Sequence, residues 1–103
     1  MPKIIELKTL PEFFEQVDCE VKPFELRRMD RPFDVEDVLV LREYNGSEYT
    51  GRYTVRVVTY ILTAKQFPNG VMPGYGVLGI RPAQVEELER VADDVLAERW
   101  GFR

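Results

Sequence analysis

Val38-Leu39-Val40-Leu41 is an apolar run with no polar alternation, and a short run of this kind reads as a strand buried on both faces. Any fold this chain adopts must therefore cover both sides of it, as a closed or nearly closed barrel does. The strand continues through Arg42, Glu43 and Tyr44 to Asn45-Gly46, the strongest short hairpin signal in the chain. The return strand, Gly51 to Thr63, is long. Tyr53, Val55, Val57, Thr59 and Ile61 share one side, and Thr54, Arg56, Val58, Tyr60 and Leu62 the other. Both sides are mostly apolar or aromatic, which again predicts a curled sheet.

Upstream, Lys3 to Lys8 is a short strand whose Ile5 and Leu7 alternate with charged neighbours. Thr9-Leu10-Pro11-Glu12 has the spacing of a capping box, with Pro11 suited to a first helical turn. Leu10, Phe13, Phe14 and Val17 then fall on one face, so a helix of roughly two turns is predicted to cover a core with its aromatic pair. Pro23 suits the start of the next strand. There Phe24 and Leu26 share one face and Glu25 and Arg27 the other; if the first pair faces the core, the second pair and Lys22 look outward or into a cleft. Asp30-Arg31-Pro32 is turn chemistry.

Pro68, Asn69, Gly70, Pro73 and Gly74 make residues 65–74 a loop, and Tyr75 to Arg81 is the last strand. Pro82 is predicted to open a helix with an apolar stripe of Val85, Leu88, Val91, Ala92, Val95, Leu96 and Trp100, stopped by Gly101.

The 103 residues match one domain, and a domain of that size buries about two-thirds of its unfolded surface without staples. No apolar run is long enough to span a membrane, and the N-terminal residues lack the apolar core of a secretory signal; no membrane partner is expected, and a cytoplasmic location is the default. Cys19 is the only cysteine, so no intrachain disulfide forms, and it reads as a small buried apolar residue. The chain has no histidine, which excludes Ser-His and Cys-His nucleophiles, histidine metal ligands and the usual general base near neutral pH.

The net charge of −4 speaks against nucleic acid, but its distribution weakens that objection. Residues 82–103 hold six acids against three arginines, while Lys22 to Arg31 has four cations against Glu25 and Asp30. Asp34, Glu36 and Asp37 flank a turn where solvated carboxylates are ordinary. No metal or other cofactor is expected.

Taken together, these motifs resemble the ASCH domain of the PUA-like superfamily. Its pattern of Gly-x-Lys-x-x-Glu-x-Arg, a turn and Val-Gly-Asp is read here as Glu20-Val21-Lys22-Pro23-Phe24-Glu25-Leu26-Arg27 and Phe33-Asp34-Val35-Glu36-Asp37. Leu41 to Tyr44, Tyr49 to Arg52 and Pro73 to Tyr75 are similar to a small uncharacterised bacterial and phage ASCH-like subgroup. The likeness covers about residues 3 to 82. Glu20 and Glu36 depart from it, standing where the family has glycine. It implies an α+β fold: a small PUA-like β-barrel of about five to six strands over residues 1–82, flanked by an N-terminal helix, with an amphipathic C-terminal helix over 83–103 packed on the same domain.

The resemblance also implies binding of RNA or of a modified nucleoside or nucleotide. Lys22, Arg27 and Arg52 suit phosphate or a base edge, Glu25 an exocyclic amine, and Tyr44 or Tyr75 a stacked base. Against this stands a structural role for Lys22, Glu25 and Arg27 as an ion-pair cluster over the barrel. Some ASCH proteins are amidohydrolases that deacylate a modified cytidine with lysine, threonine and glutamate. Here Lys22 takes the lysine position, but Glu25 takes the threonine position. A carboxylate beside an ammonium favours its charged form, opposite to what a lysine base needs. Lys22 and Glu25 are the catalytic candidates if the chain is an enzyme. A third expectation is a protein-interaction role for the C-terminal helix, and oligomeric state is left open.

Overall fold

Strand β3 (Val38–Tyr44) occupies an interior position of a five-stranded sheet, ordered β1-β3-β4-β5-β2, in a computed structural model that describes residues 2–97, 99 and 100. Strand β1 (Ile4–Thr9) pairs with β3 in parallel. The pairs β3–β4 (Tyr49–Thr63), β4–β5 (Tyr75–Pro82) and β5–β2 (Phe24–Arg28) are antiparallel. Helix α1 (Pro11–Asp18) follows β1. The C-terminal helix runs as an α-helical part, α2 (Val85–Val91), continued by a π-helical turn over Ala92–Ala97.

Val38 to Leu41 is buried on both faces, as expected, but two different covers do it. Leu39 and Leu41 enter the concave core with Ile5, Leu7, Val17, Phe33, Val58, Leu78 and Ile80. Val38 and Val40 face the opposite way and pack with Val55, Val57, Val91 and Val95, so the C-terminal helix covers the convex side. The sheet is therefore an open, curled half-barrel, in place of the closed or nearly closed barrel expected from the doubly buried run. Its two edges are β1 and β2.

The curl comes from β4. Its first part pairs with β3 up to Val57, and its second part pairs with β5 from Arg56 onward. The β4–β5 register shifts between Val58 and Tyr60, leaving Thr59 as an extra, bulged residue. A bulge changes the phase of alternation. Ile61 accordingly packs on the concave core beside Val58, on the other side from Val55 and Val57, where strict alternation had placed it. Asn45-Gly46 makes the expected hairpin turn, with Asn45 Oδ1 accepting the N–H groups of Ser47 and Glu48 at 3.0 and 2.9 Å.

Three further expectations are corrected. Thr9 does not cap α1: it ends β1, its side chain is buried, and Leu10 is the N-cap without a side-chain hydrogen bond. Pro82 ends β5 and does not open the last helix, which starts after Gln84, whose N–H donates to Glu87 Oε1 at 2.7 Å. Only Val91 and Val95 of the predicted stripe are buried, with Leu96 and Trp100 packed beside them, while Val85, Leu88 and Ala92 are exposed. The π turn lengthens the spacing, so Trp100 N–H donates to the Val95 carbonyl at 2.9 Å. Gly101, the predicted stop, lies outside the described residues. Among the described residues no helix is long and apolar enough to cross a membrane.

Candidate functional site: a cleft between α1 and β2

Helix α1 ends in a hydrogen-bonded reversal that aims Lys22. The Glu20 N–H donates to the Val17 carbonyl at 3.0 Å and the Val21 N–H to the Gln16 carbonyl at 2.9 Å. These are the two bonds of a Schellman C-cap, whose pivot takes a left-handed conformation and is usually glycine. Here the pivot is Glu20, with φ +63°. The Lys22 N–H joins the same Gln16 carbonyl at 2.9 Å, so the chain is fixed up to the start of β2.

On β2 the pair Phe24 and Leu26 does not face the core, and Glu25 and Arg27 border a cleft. Phe24 and Leu26 are exposed, while Glu25, opposite the core residue Leu78, is 2% exposed. Lys22 Nζ donates to Glu25 Oε2 at 2.6 Å, and Arg27 Nε and Nη2 donate to Oε1 at 3.1 and 2.7 Å. A carboxylate withdrawn from water is tolerated when charged donors occupy it, as they do here. Arg27 reaches further, giving Nη2 to Thr9 Oγ1 at 3.0 Å and Nη1 to the Lys8 carbonyl at 2.9 Å. With its donors so engaged, Arg27 retains one Nη1 hydrogen for anything else.

Lys22 is less committed. Its ammonium makes one ion pair and stands 5.4 Å from the Phe13 ring centroid and 5.2 Å from that of Phe24. These groups border a cleft of about 690 Å³, within the size range of small-molecule sites. Thr9, Glu25 and Arg27 contribute its polar lining. Leu10, Phe13, Val21, Phe24 and Leu26 line it too and remain 42–73% exposed. Large apolar side chains left exposed together mark a binding surface.

The structure therefore brings Lys22, Glu25 and Arg27 together and places the other three candidates outside the cleft lining. Arg52 lies over the Phe14 ring, bonded to Glu15 and 3.6 Å from both Asp18 and Glu43, so it ties β4 to α1. The Glu15 carboxylate, bonded to the guanidinium, holds it firmly protonated. Tyr44 stacks edge-on against Tyr49 with the Lys8 ammonium 4.5 Å from its ring. Tyr75 faces Arg28 across the β2–β5 pair, and its hydroxyl raises the Arg28 pKa by hydrogen bonding.

Of the acids beside the β2–β3 turn, Asp37 is buried and accepts the backbone N–H groups of Lys3 and Asp34 at 2.9 and 2.8 Å. Burial pushes its carboxyl up, but those donors and the Lys3 ammonium outweigh burial and hold it below its ordinary range. Glu36 has φ +79° and lies 3.6 Å from Arg81. These groups brace the start of β3, away from the cleft.

Sequence reasoning missed Lys8, Leu10, Phe13 and Phe24 as cleft residues. The signal for Phe13 was its neighbour: adjacent helical residues point about 100° apart, so the aromatic pair was unable to share one core face. Phe14 is 1% exposed and Phe13 42%.

No curated protein matches the chain. The profile of a family described as a domain of unknown function, DUF3850, matches residues 4–80, from the first residue of β1 into β5. With the match spanning the half-barrel and every side chain that borders the cleft, the chain belongs to the DUF3850 family.

Proposed function

We propose that the cleft binds a nucleobase, presented by RNA or by a modified nucleoside or nucleotide. The observation that carries this reading is the Lys22 ammonium, close to the rings of Phe13 and Phe24 and paired with buried Glu25, in a recess whose surface is mostly apolar. A flat heteroaromatic ring suits such a recess. Its faces meet exposed rings and aliphatic walls, and a carbonyl or ring nitrogen accepts from Lys22.

The resemblance to ASCH domains supports the same reading. The Lys-x-x-Glu-x-Arg stretch borders the cleft, and Glu20 and Glu36, where the family pattern has glycine, both hold the left-handed conformation that favours glycine. The half-barrel with a helix after β1 is in keeping with a PUA-like domain. Hydrolysis of the ASCH kind is disfavoured because Glu25 stands at the threonine position, its carboxylate held by Lys22 and Arg27.

Fluorescence anisotropy with short labelled single-stranded RNAs, and competition by modified nucleosides, tests the proposal. Lys22→Met and Phe13→Ala are each expected to weaken binding by about tenfold, the worth of one charge-assisted hydrogen bond or one base stack. Unchanged affinity in both variants contradicts it.

A further inference from the structure

A second hollow, of about 400 Å³, adjoins the cleft. Lys8 and Arg27 line both recesses, and Arg28 and Arg31 join them in the second, facing Glu6 and Asp30. Resting on the base-binding reading of the cleft, we infer that this hollow is a phosphate subsite, which takes the phosphoryl group of a nucleotide whose base occupies the cleft.

The charge arrangement carries the inference. Glu6 is already occupied, accepting Arg99 Nη1 at 2.6 Å and Trp100 Nε1 at 3.0 Å, with Arg42 at 3.5 Å. Asp30 lies 3.6 Å from Arg31. Lys8 and Arg28 have no carboxylate within 4.0 Å among the described residues; Lys8 rests on Tyr44, and Arg28 on Tyr75 with Asp30 attracting it from further away. Two cations held by neutral phenol rings, bordering one hollow of a chain with net charge −4, form a local positive field that suits an oxyanion. A phosphoryl group is the fitting one: it carries enough oxygens to meet an ammonium and a guanidinium at once. The shared border at Lys8 and Arg27 makes base and phosphate recesses contiguous.

The test is an amide-shift titration of the labelled protein with four ribonucleosides, their 3′- and 5′-monophosphates, a dinucleoside monophosphate and inorganic phosphate. Nucleotides are expected to bind about tenfold or more tightly than matched nucleosides, as one added charge-assisted contact implies, with an advantage that shrinks as salt rises. Arg28→Gln/Arg31→Gln is expected to erase that advantage while nucleoside affinity stays as it was. Arg31→Gln alone repeats the test should the double variant fold poorly. A dinucleoside monophosphate that keeps the advantage identifies a chain phosphate, and one that loses it a terminal phosphate; both support the subsite. Equal affinity for nucleosides and nucleotides overturns the subsite and leaves base binding standing. Shifts from inorganic phosphate with no response of cleft amides to any nucleoside overturn both.

Discussion

Arg27 on β2 donates from Nη1 to the carbonyl of Lys8 on β1 at 2.9 Å, so a side chain of one edge strand meets the backbone of the other. In a closed barrel that seam would be a ladder of backbone hydrogen bonds. Here one guanidinium spans it and is steadied by buried Glu25 and by Thr9. Arg27 is thus both a wall of the cleft and a clasp of the half-barrel.

Removing the clasp is expected to cost stability as well as any binding. Arg27→Ala leaves Glu25 with Lys22 alone and Thr9 Oγ1 without its donor, which predicts a loss of about 3 kcal/mol in urea unfolding. Arg27→Lys recovers little of it, because an ammonium lacks the planar fork that reaches Glu25, Thr9 and Lys8 together. A fully stable Arg27→Ala protein contradicts the clasp.

The sense of β2 is open to an equally direct check. Leu26 is 57% exposed and Leu78 fully buried. Leu26→Ser is expected to change stability by no more than about 0.5 kcal/mol, whereas Leu78→Ala costs roughly 2–5 kcal/mol. Comparable losses in the two variants would mean that Leu26 faces the core.

Glu20 holds a left-handed conformation at a helix C-cap, which costs a non-glycine residue about 1–2 kcal/mol. Glycine removes that cost but adds about 0.4–1 kcal/mol of unfolded-state entropy. Glu20→Gly is therefore expected to raise stability by about 0.5 kcal/mol, and Glu20→Val to lower it. The thermal midpoints of both variants check the sign.

Acid is expected to loosen the fold through Asp37 and Glu87. Burial opposes the charge of Asp37, but the Lys3 and Asp34 N–H groups and the Lys3 ammonium prevail, while Arg81 holds the Glu87 carboxylate charged. Both titrate below their ordinary values when folded. The unfolded chain then binds protons more readily, so this stability is complete above the usual carboxylate range and drains as pH falls through the folded pKa values. Urea midpoints measured from pH 7 to pH 3 are expected to fall below about pH 4, and less steeply in Asp37→Asn.

Much of the fold was legible in the sequence. Ile5 and Leu7, the apolar run from Val38 to Leu41, Asn45-Gly46 and the long return strand each carry a local signal that the structure keeps. The grouping of Lys22, Glu25 and Arg27 was legible as well. What failed turns on side-chain contacts and backbone irregularities that counting along the chain does not register. Alternation tells which residues of β2 share a face but not which face is buried, and Glu25 turns inward because Lys22 and Arg27 both reach it. Likewise Thr9 had the spacing of a helix cap, yet a guanidinium eighteen positions on claims its hydroxyl. The bulge at Thr59 and the π turn after Val91 break periodicities that strict counting assumes.

The central claim is that the recess between α1 and β2 is where a ligand binds. A two-dimensional NMR titration of the labelled protein with short single-stranded RNA and a panel of modified nucleosides tests it most directly. Shifts centred on Leu10, Phe13, Lys22 and Leu26, and absent in Lys22→Met, are the predicted result. Saturable shifts centred elsewhere, with those four amides unmoved, would contradict it.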